Sequence, residues 1–117
     1  MFIIFFGNLS FAEQLLNQDV DISFGSTLSN SWLPVRQLTG GPFTIDNAGT
    51  IESTNGNTIR MDVDTTLNNS GLIDADVTTN GQAIHFFQNS GNNSLTNSGT
   101  IRIESTGSFS PAIKVQG

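Results

Sequence analysis

Four carboxylates and one imidazole are the side chains of this 117-residue sequence best suited to chemistry. Asp62 and Asp64 lie two positions apart, as do Asp74 and Asp76, so each pair shares one face of an extended strand. Clustered carboxylates of this kind hydrolyse or eliminate polysaccharides, and some hold Ca²⁺. That chemistry needs all four in one groove. The simpler reading is that they are charged gatekeepers on outward strand positions. His85 is the single histidine. Its functional reading is a general base or part of an anion-binding strip, and its simpler reading is a solvated surface residue. The chain has no Cys and no Tyr. No Ser lies in a Gly-x-Ser-x-Gly elbow, so no nucleophile–base pair is proposed. The Gly-Gly-x-Gly-x-Asp calcium repeat is absent. The expectation is a protein that is not an enzyme, with no catalytic residue, no cofactor site and no metal site.

The elements that position these side chains are announced by a repeat. Thr44-Ile45-Asp46-Asn47-Ala48-Gly49-Thr50-Ile51 recurs as Thr66-Leu67-Asn68-Asn69-Ser70-Gly71-Leu72-Ile73 and again as Ser94-Leu95-Thr96-Asn97-Ser98-Gly99-Thr100-Ile101. Repeats at this spacing point to a solenoid, a propeller or an array. Counted from the repeat Asn, even offsets share one side of a strand. Ile45, Leu67 and Leu95 fall in one inward column and Ile51, Ile73 and Ile101 in a second. Ser53, Ala75 and Ile103 follow at the next even offset, while Glu52, Asp74 and Arg102 point outward. Stacked in this order, Asp74 meets Arg102 as an ion pair between successive turns.

A second segment follows each copy after a loop of variable length. It reads Thr58-Ile59-Arg60-Met61, then Ala83-Ile84-His85-Phe86, then Ala112-Ile113-Lys114-Val115. Ile59, Ile84 and Ile113 share one inward column, and Met61, Phe86 and Val115 the next; Arg60, His85 and Lys114 point out between them. Phe87, beside inward Phe86, is an exposed aromatic that either stacks on a sugar or covers a loop.

One such unit cannot bury its apolar face alone. Stacking places like positions about 4.8 Å apart, so each aliphatic column buries against itself. Asn47, Asn69 and Asn97 share the parity of the inward residues. A buried amide is costly unless it is hydrogen-bonded, and a vertical ladder of Asn side chains would satisfy it. Gly49, Gly71 and Gly99 then make the tight corner, where a positive φ is expected. The fold class is therefore all-β: a right-handed parallel β-helix (β-solenoid) of about three regular coils plus an N-terminal cap.

Residues 43–117 are the regular coils, and 13–42 are the cap and a degenerate first coil. In the cap, Val20, Ile22 and Phe24 alternate as a strand. Thr27 to Val35 reads as a damaged copy of the repeat, with Asn30 at the Asn position and Trp32 in place of Gly. Gly40-Gly41-Pro42 is a turn. Residues 1–12 combine an apolar run with Ser10-Phe11-Ala12, like the tail of a secretory signal peptide truncated at its start and cleaved after Ala12. The alternative is a first strand or hydrophobic cap. The run is too short and too interrupted for a transmembrane helix.

Composition agrees with a strand-and-turn architecture, since Asn, Ser, Thr and Gly are plentiful and the good helix formers are sparse. A net charge of −6, with only four Lys and Arg residues, argues against nucleic acid as a partner.

The Asn-Ser-Gly-Leu/Thr-Ile copies at 69–73 and 97–101, with the Gly/Ser-x-Ala-Ile segments at 81–84 and 110–113, resemble the passenger repeats of bacterial autotransporters and related surface adhesins. The resemblance covers about residues 43–117 and none of a C-terminal translocating barrel. It implies a secreted, outer-membrane-associated segment of a longer passenger, adjoining further coils, with a host or environmental glycan or protein as partner and recognition in irregular loops such as 87–93. Two other function classes stand beside it. One is a polysaccharide-active β-helix using the four Asp residues. The other is an ice-binding solenoid, for which Thr50 and Thr100 align but Leu72 breaks the row.

Overall fold

The computed structural model describes residues 2–5, 8–9, 17–77, 81–87, 92–105 and 111–115. The strands are β1 (Phe2–Phe5), β2 (Asn8–Leu9), β3 (Asp19–Ile22), β4 (Thr27–Asn30), β5 (Val35–Gln37), β6 (Phe43–Asn47) and β7 (Thr50–Ser53). They continue as β8 (Ile59–Met61), β9 (Thr65–Asn69), β10 (Leu72–Val77), β11 (Ile84–Phe86), β12 (Ser94–Asn97), β13 (Thr100–Ser105) and β14 (Ile113–Val115). Three parallel sheets result, ordered β1-β3-β6-β9-β12, β2-β4-β7-β10-β13 and β5-β8-β11-β14. Each coil gives one strand to each sheet, so the chain is a parallel β-solenoid. The regular coils are β6–β8, β9–β11 and β12–β14, resting on a first coil made of β3–β5. The backbone of β1 and β2 pairs with β3 and β4.

Register explains why the chain winds this way. Ile45 pairs with Leu67 and Leu67 with Leu95; Ile51 pairs with Ile73 and Ile73 with Ile101. In the third sheet Ile59, Ile84 and Ile113 are in line. Ile45, Leu67, Ile51, Ile73, Ile59 and Ile84 are wholly buried. Each contributes about 1.5–3 kcal/mol by leaving water. Along β10 inward and outward residues alternate, and the same alternation runs through β4, β7 and β9. Alternation of this kind is what a strand with one buried face requires.

Asn47, Asn69 and Asn97 stand in one column on the inner side. Asn47 Nδ2 donates to Asn69 Oδ1 at 2.7 Å, and Asn69 Nδ2 donates to Asn97 Oδ1 at 2.7 Å. The same donors reach Leu72 O at 3.0 Å and Thr100 O at 3.2 Å in the next coil. The bonds between coils thus run in one direction, from lower coil to upper, while Asn69 Nδ2 also reaches Gly71 O of its own coil at 3.3 Å. Beneath Asn47 stands Ile22, whose side chain has no donor, and the buried Asn47 Oδ1 has no hydrogen-bond partner among the described residues.

The corner glycines do not adopt the positive φ expected of them. Positive φ among described glycines occurs at Gly25, Gly40 and Gly41. At Gly49, Gly71 and Gly99 the constraint is proximity: a Cβ on Gly71 would collide with Gly49 O, and one on Gly99 with Gly71 O. The corners stack so closely that the carbonyl of one coil occupies the space of a side chain on the next. Leu72 N donates to Gly49 O and Thr100 N to Gly71 O, both at 2.9 Å, which fixes that approach.

The first coil departs from the expected alignment. Asn30 pairs with Ser53, so it lies in the second sheet and outside the Asn ladder. Ile22 takes the Asn position, and Ser26 takes the corner, its carbonyl accepting from Thr50 N at 2.9 Å. Ser23, Phe24, Gly25 and Ser26 span what Ala48 and Gly49 span one coil later. The longer turn uses Gly25 at φ +83°. Phe24, expected to share the inward face of Val20 and Ile22, is 91% exposed because it sits in that turn. Trp32 is therefore no replaced corner glycine; its indole lies across Gly56 of the coil above.

Candidate functional site

Among the described residues the third sheet carries the one outward column rich in cations. Arg36 pairs with Arg60, Arg60 with His85 and His85 with Lys114. Each is the middle residue of a three-residue strand whose flanking side chains point inward: Val35 and Gln37, Ile59 and Met61, Ile84 and Phe86 in the first three coils. Alternation leaves the middle side chain nowhere to go but out. Arg36, Arg60 and Lys114 are three of the four Lys and Arg residues in the chain. Asp62, just past β8, joins two of them. Its Oδ2 accepts from Arg36 Nη2 at 3.1 Å, and its Oδ1 from Arg60 Nε at 2.8 Å. Phe87 lies one coil above, with the Arg60 guanidinium carbon 3.8 Å from its ring centroid. Lys114 makes no ion pair with the described residues.

His85 is not the solvated residue that its outward parity suggested. Its exposure is 6%. The Phe87 ring lies against it in a T-shaped arrangement with centroids 5.4 Å apart. The Phe87 ring helps to cover it, a contact that alternation along one strand does not encode. Arg36 belongs to the column as well, a membership that aligning the first coil on Asn30 does not bring out. The signal was present in Val35-Arg36-Gln37, which has the apolar–cation–large pattern of Ile59-Arg60-Met61.

The four Asp residues are not assembled into one groove. Asp62 is bound by Arg36 and Arg60. Asp64 Oδ1 accepts from Asn92 N at 2.9 Å in a turn. Asp74 and Asp76 lie on β10 in the second sheet. There Arg102 Nη2 donates to Asp74 Oδ2 at 2.6 Å, and Nε to Oδ1 at 3.1 Å. The hydrogen bond to Asp74, then its charge, raises the Arg102 pKa above the ordinary guanidinium value. Among the described residues no group of three or more His, Cys, Asp or Glu converges as a metal site requires. Thr50 and Thr100 lie in one outward row with Thr27, interrupted by Leu72.

The first sheet presents the opposite electrostatic character. Asp21, Asp46, Asn68 and Thr96 form an outward column, and with their neighbours they line a shallow groove of about 160 Å³. Asn68 Nδ2 donates to Asp46 Oδ1 at 2.8 Å, and Thr44 N to Asp19 Oδ1 at 2.8 Å. Three carboxylates on this face have no cation among their described partners, so it is negative where the third sheet is positive.

No protein-family model, no curated protein and no solved structure matches this chain. Among the described residues no helix is long and apolar enough to cross a membrane.

Proposed function

We propose that the chain is a rigid display segment of a secreted bacterial surface protein, an autotransporter-like stalk whose loops meet the surroundings while its coils carry load. The observation that supports this most is the unbroken register of all three sheets across connections of unequal length. The strands stay in line whether Met61 is followed after a short turn by Thr65 or Phe86 is followed after a longer one by Ser94. The stack thus tolerates insertion at its corners without disturbing its core, which is the property that loop display demands. A second support is the Asn ladder, which ties successive coils by side-chain bonds along the stack axis. Residues 1–12 would serve as the export signal in this reading, and a glycan or protein of a host or environmental surface as the partner.

The test joins the chain between a complete secretory signal and an outer-membrane translocator barrel in a Gram-negative host. Surface exposure by antibody labelling of intact cells, with increased attachment to a glycan or protein array, is the expected result. Retention in the periplasm, or labelled cells that attach no better than the barrel alone, would defeat the proposal.

A further inference from the structure

From the third sheet we infer a binding strip for a linear anionic glycan, centred on Arg60, Phe87 and Lys114 and extended by Arg36. The inference goes beyond display and does not depend on export, because it concerns the isolated chain. Parallel pairing sets the coils about 4.8 Å apart, so the column from Arg36 to Lys114 spans about 14 Å along the stack axis. A repeating chain of charges laid along that axis meets a cation at several coils in turn. The remainder of the molecule supplies the contrast. Outward strand positions on the first sheet hold Asp19, Asp21 and Asp46, and those on the second hold Glu52, Asp74, Asp76 and Glu104 against Arg102 alone. With a net charge of −6 and acidic residues prevailing on the outward strand positions of the first and second sheets, repulsion there also favours this face.

Phe87 decides the kind of anion. Its ring is half-buried beside the cations, with Arg60 on one side and His85 at its edge. It offers apolar surface next to charge, which matches a pyranose ring bearing a carboxylate. A compact inorganic anion would use the cations and leave the ring idle. Asp62 holds Arg36 and Arg60 with their side chains 18% and 21% exposed, which orders both guanidinium groups before any ligand arrives. Lys114, which makes no ion pair with the described residues, supplies a further charge in the coil of β14.

The probe is a short oligogalacturonate titrated calorimetrically into the full chain at low salt, with a neutral dextran oligomer as control. Binding of the uronate alone, weakened by added salt, is expected. Lys114→Glu should weaken it about tenfold, since one attractive contact becomes repulsive. Phe87→Ala should weaken it separately and remains informative if the first variant does not fold. Arg102→Glu makes the same change in net charge on the second sheet and should leave affinity within about twofold of the parent. Equal loss in Arg102→Glu and Lys114→Glu would overturn the strip, as would failure to bind the uronate at low salt. Equal affinity for a single-stranded oligonucleotide of matched charge would overturn the assignment to a glycan.

Discussion

The coil of β9–β11 and the coil of β12–β14 are written in almost the same residues and sit in different physical circumstances. Leu67, Ile73 and Ile84 are wholly buried; their counterparts Leu95 and Ile101 are only partly buried, and Ile113 is 42% exposed. Phe86 is 9% exposed and Val115, one coil on, is 75% exposed. Asn69 has partners on both sides, whereas Asn97 accepts from Asn69 and directs its own Nδ2 to Gly99 O within its coil at 3.3 Å. What separates them is a described coil on one side instead of two. A solenoid coil therefore has little stability of its own, and what a residue contributes depends on how many neighbours cover it.

The widest gap belongs to the aliphatic columns. Ile73→Ala should cost about 2–5 kcal/mol, because the cavity lies between two coils that cannot collapse onto it. Ile101→Ala removes the same atoms from a half-open site and should cost about 1 kcal/mol, close to half the transfer energy of the side chain. Urea unfolding followed by circular dichroism measures both. Equal losses at the two positions would mean that a further layer covers the last coil, such as a second copy of the chain.

Glycine breaks the pattern in an instructive way. The obstacle at Gly99 is Gly71 O in the coil beneath, just as the obstacle at Gly71 is Gly49 O. Exposure above is irrelevant, so Gly71→Ala and Gly99→Ala should both prevent close stacking, each at about 1–3 kcal/mol. They should differ in what is lost. Gly99→Ala can be relieved by lifting the last described coil alone, whereas Gly71→Ala lifts its own coil and the one stacked upon it. Amide hydrogen exchange should show protection lost only in β12–β14 for the first, and through β9–β14 for the second.

The columns were legible because parity along a strand is a local property. Counting by twos from each Asn placed Ile51, Ile73 and Ile101 together, and the register aligns them. The first coil was illegible for the opposite reason. Ser29-Asn30-Ser31 copies the composition of the repeat, but its place is set by the longer turn at Ser23–Ser26, and the count fails once a corner gains residues. Glycine at the corners is required by the carbonyl of another coil and not by backbone angle. The outward parity of His85 misleads in the same way, because Phe87 helps to cover it. In each case the local pattern spoke for the strand, and the surroundings in the stack decided the rest.

The Asn ladder yields a smaller contrast. Asn69→Ala empties a buried site between two coils and takes the Asn69 acceptor from Asn47 Nδ2, which keeps only Leu72 O, at a cost of about 1–3 kcal/mol. Asn97→Ala leaves only the Asn69 donor short of one partner, and Thr100 O still accepts from it, so about 1 kcal/mol or less is expected. Asn47 Oδ1 already lacks a donor because Ile22 lies beneath it, so the fold tolerates one such vacancy at the start of the ladder. Thermal melts of the two variants should separate clearly. Coincident melts would show that packing of the columns, without the amides, carries the stack.

The smallest effect should come from the ion pair that crosses between these same two coils. Arg102 and Asp74 are matched in register and bonded through two nitrogens, yet the arginine side chain is 52% exposed. Water competes for both partners there, and salt screens what remains. Arg102→Ala should lower the urea midpoint slightly in dilute buffer, and the difference should vanish in 1 M NaCl. A pH series should not reveal it from the arginine side. The folded-state pKa is raised, so that contribution is present below the unfolded value and is lost only as pH rises through the still higher folded one. The two guanidinium groups held by Asp62 supply the counterpart within the same molecule, since their side chains are 18% and 21% exposed. Asp62→Asn should lower stability at both salt concentrations, because shielded charges lose their partner where the Debye layer reaches them poorly. If the Asp62 variant proved as salt-dependent as the Arg102 variant, the third sheet would be no better ordered than the second, and the preset geometry claimed for the anionic strip would be lost.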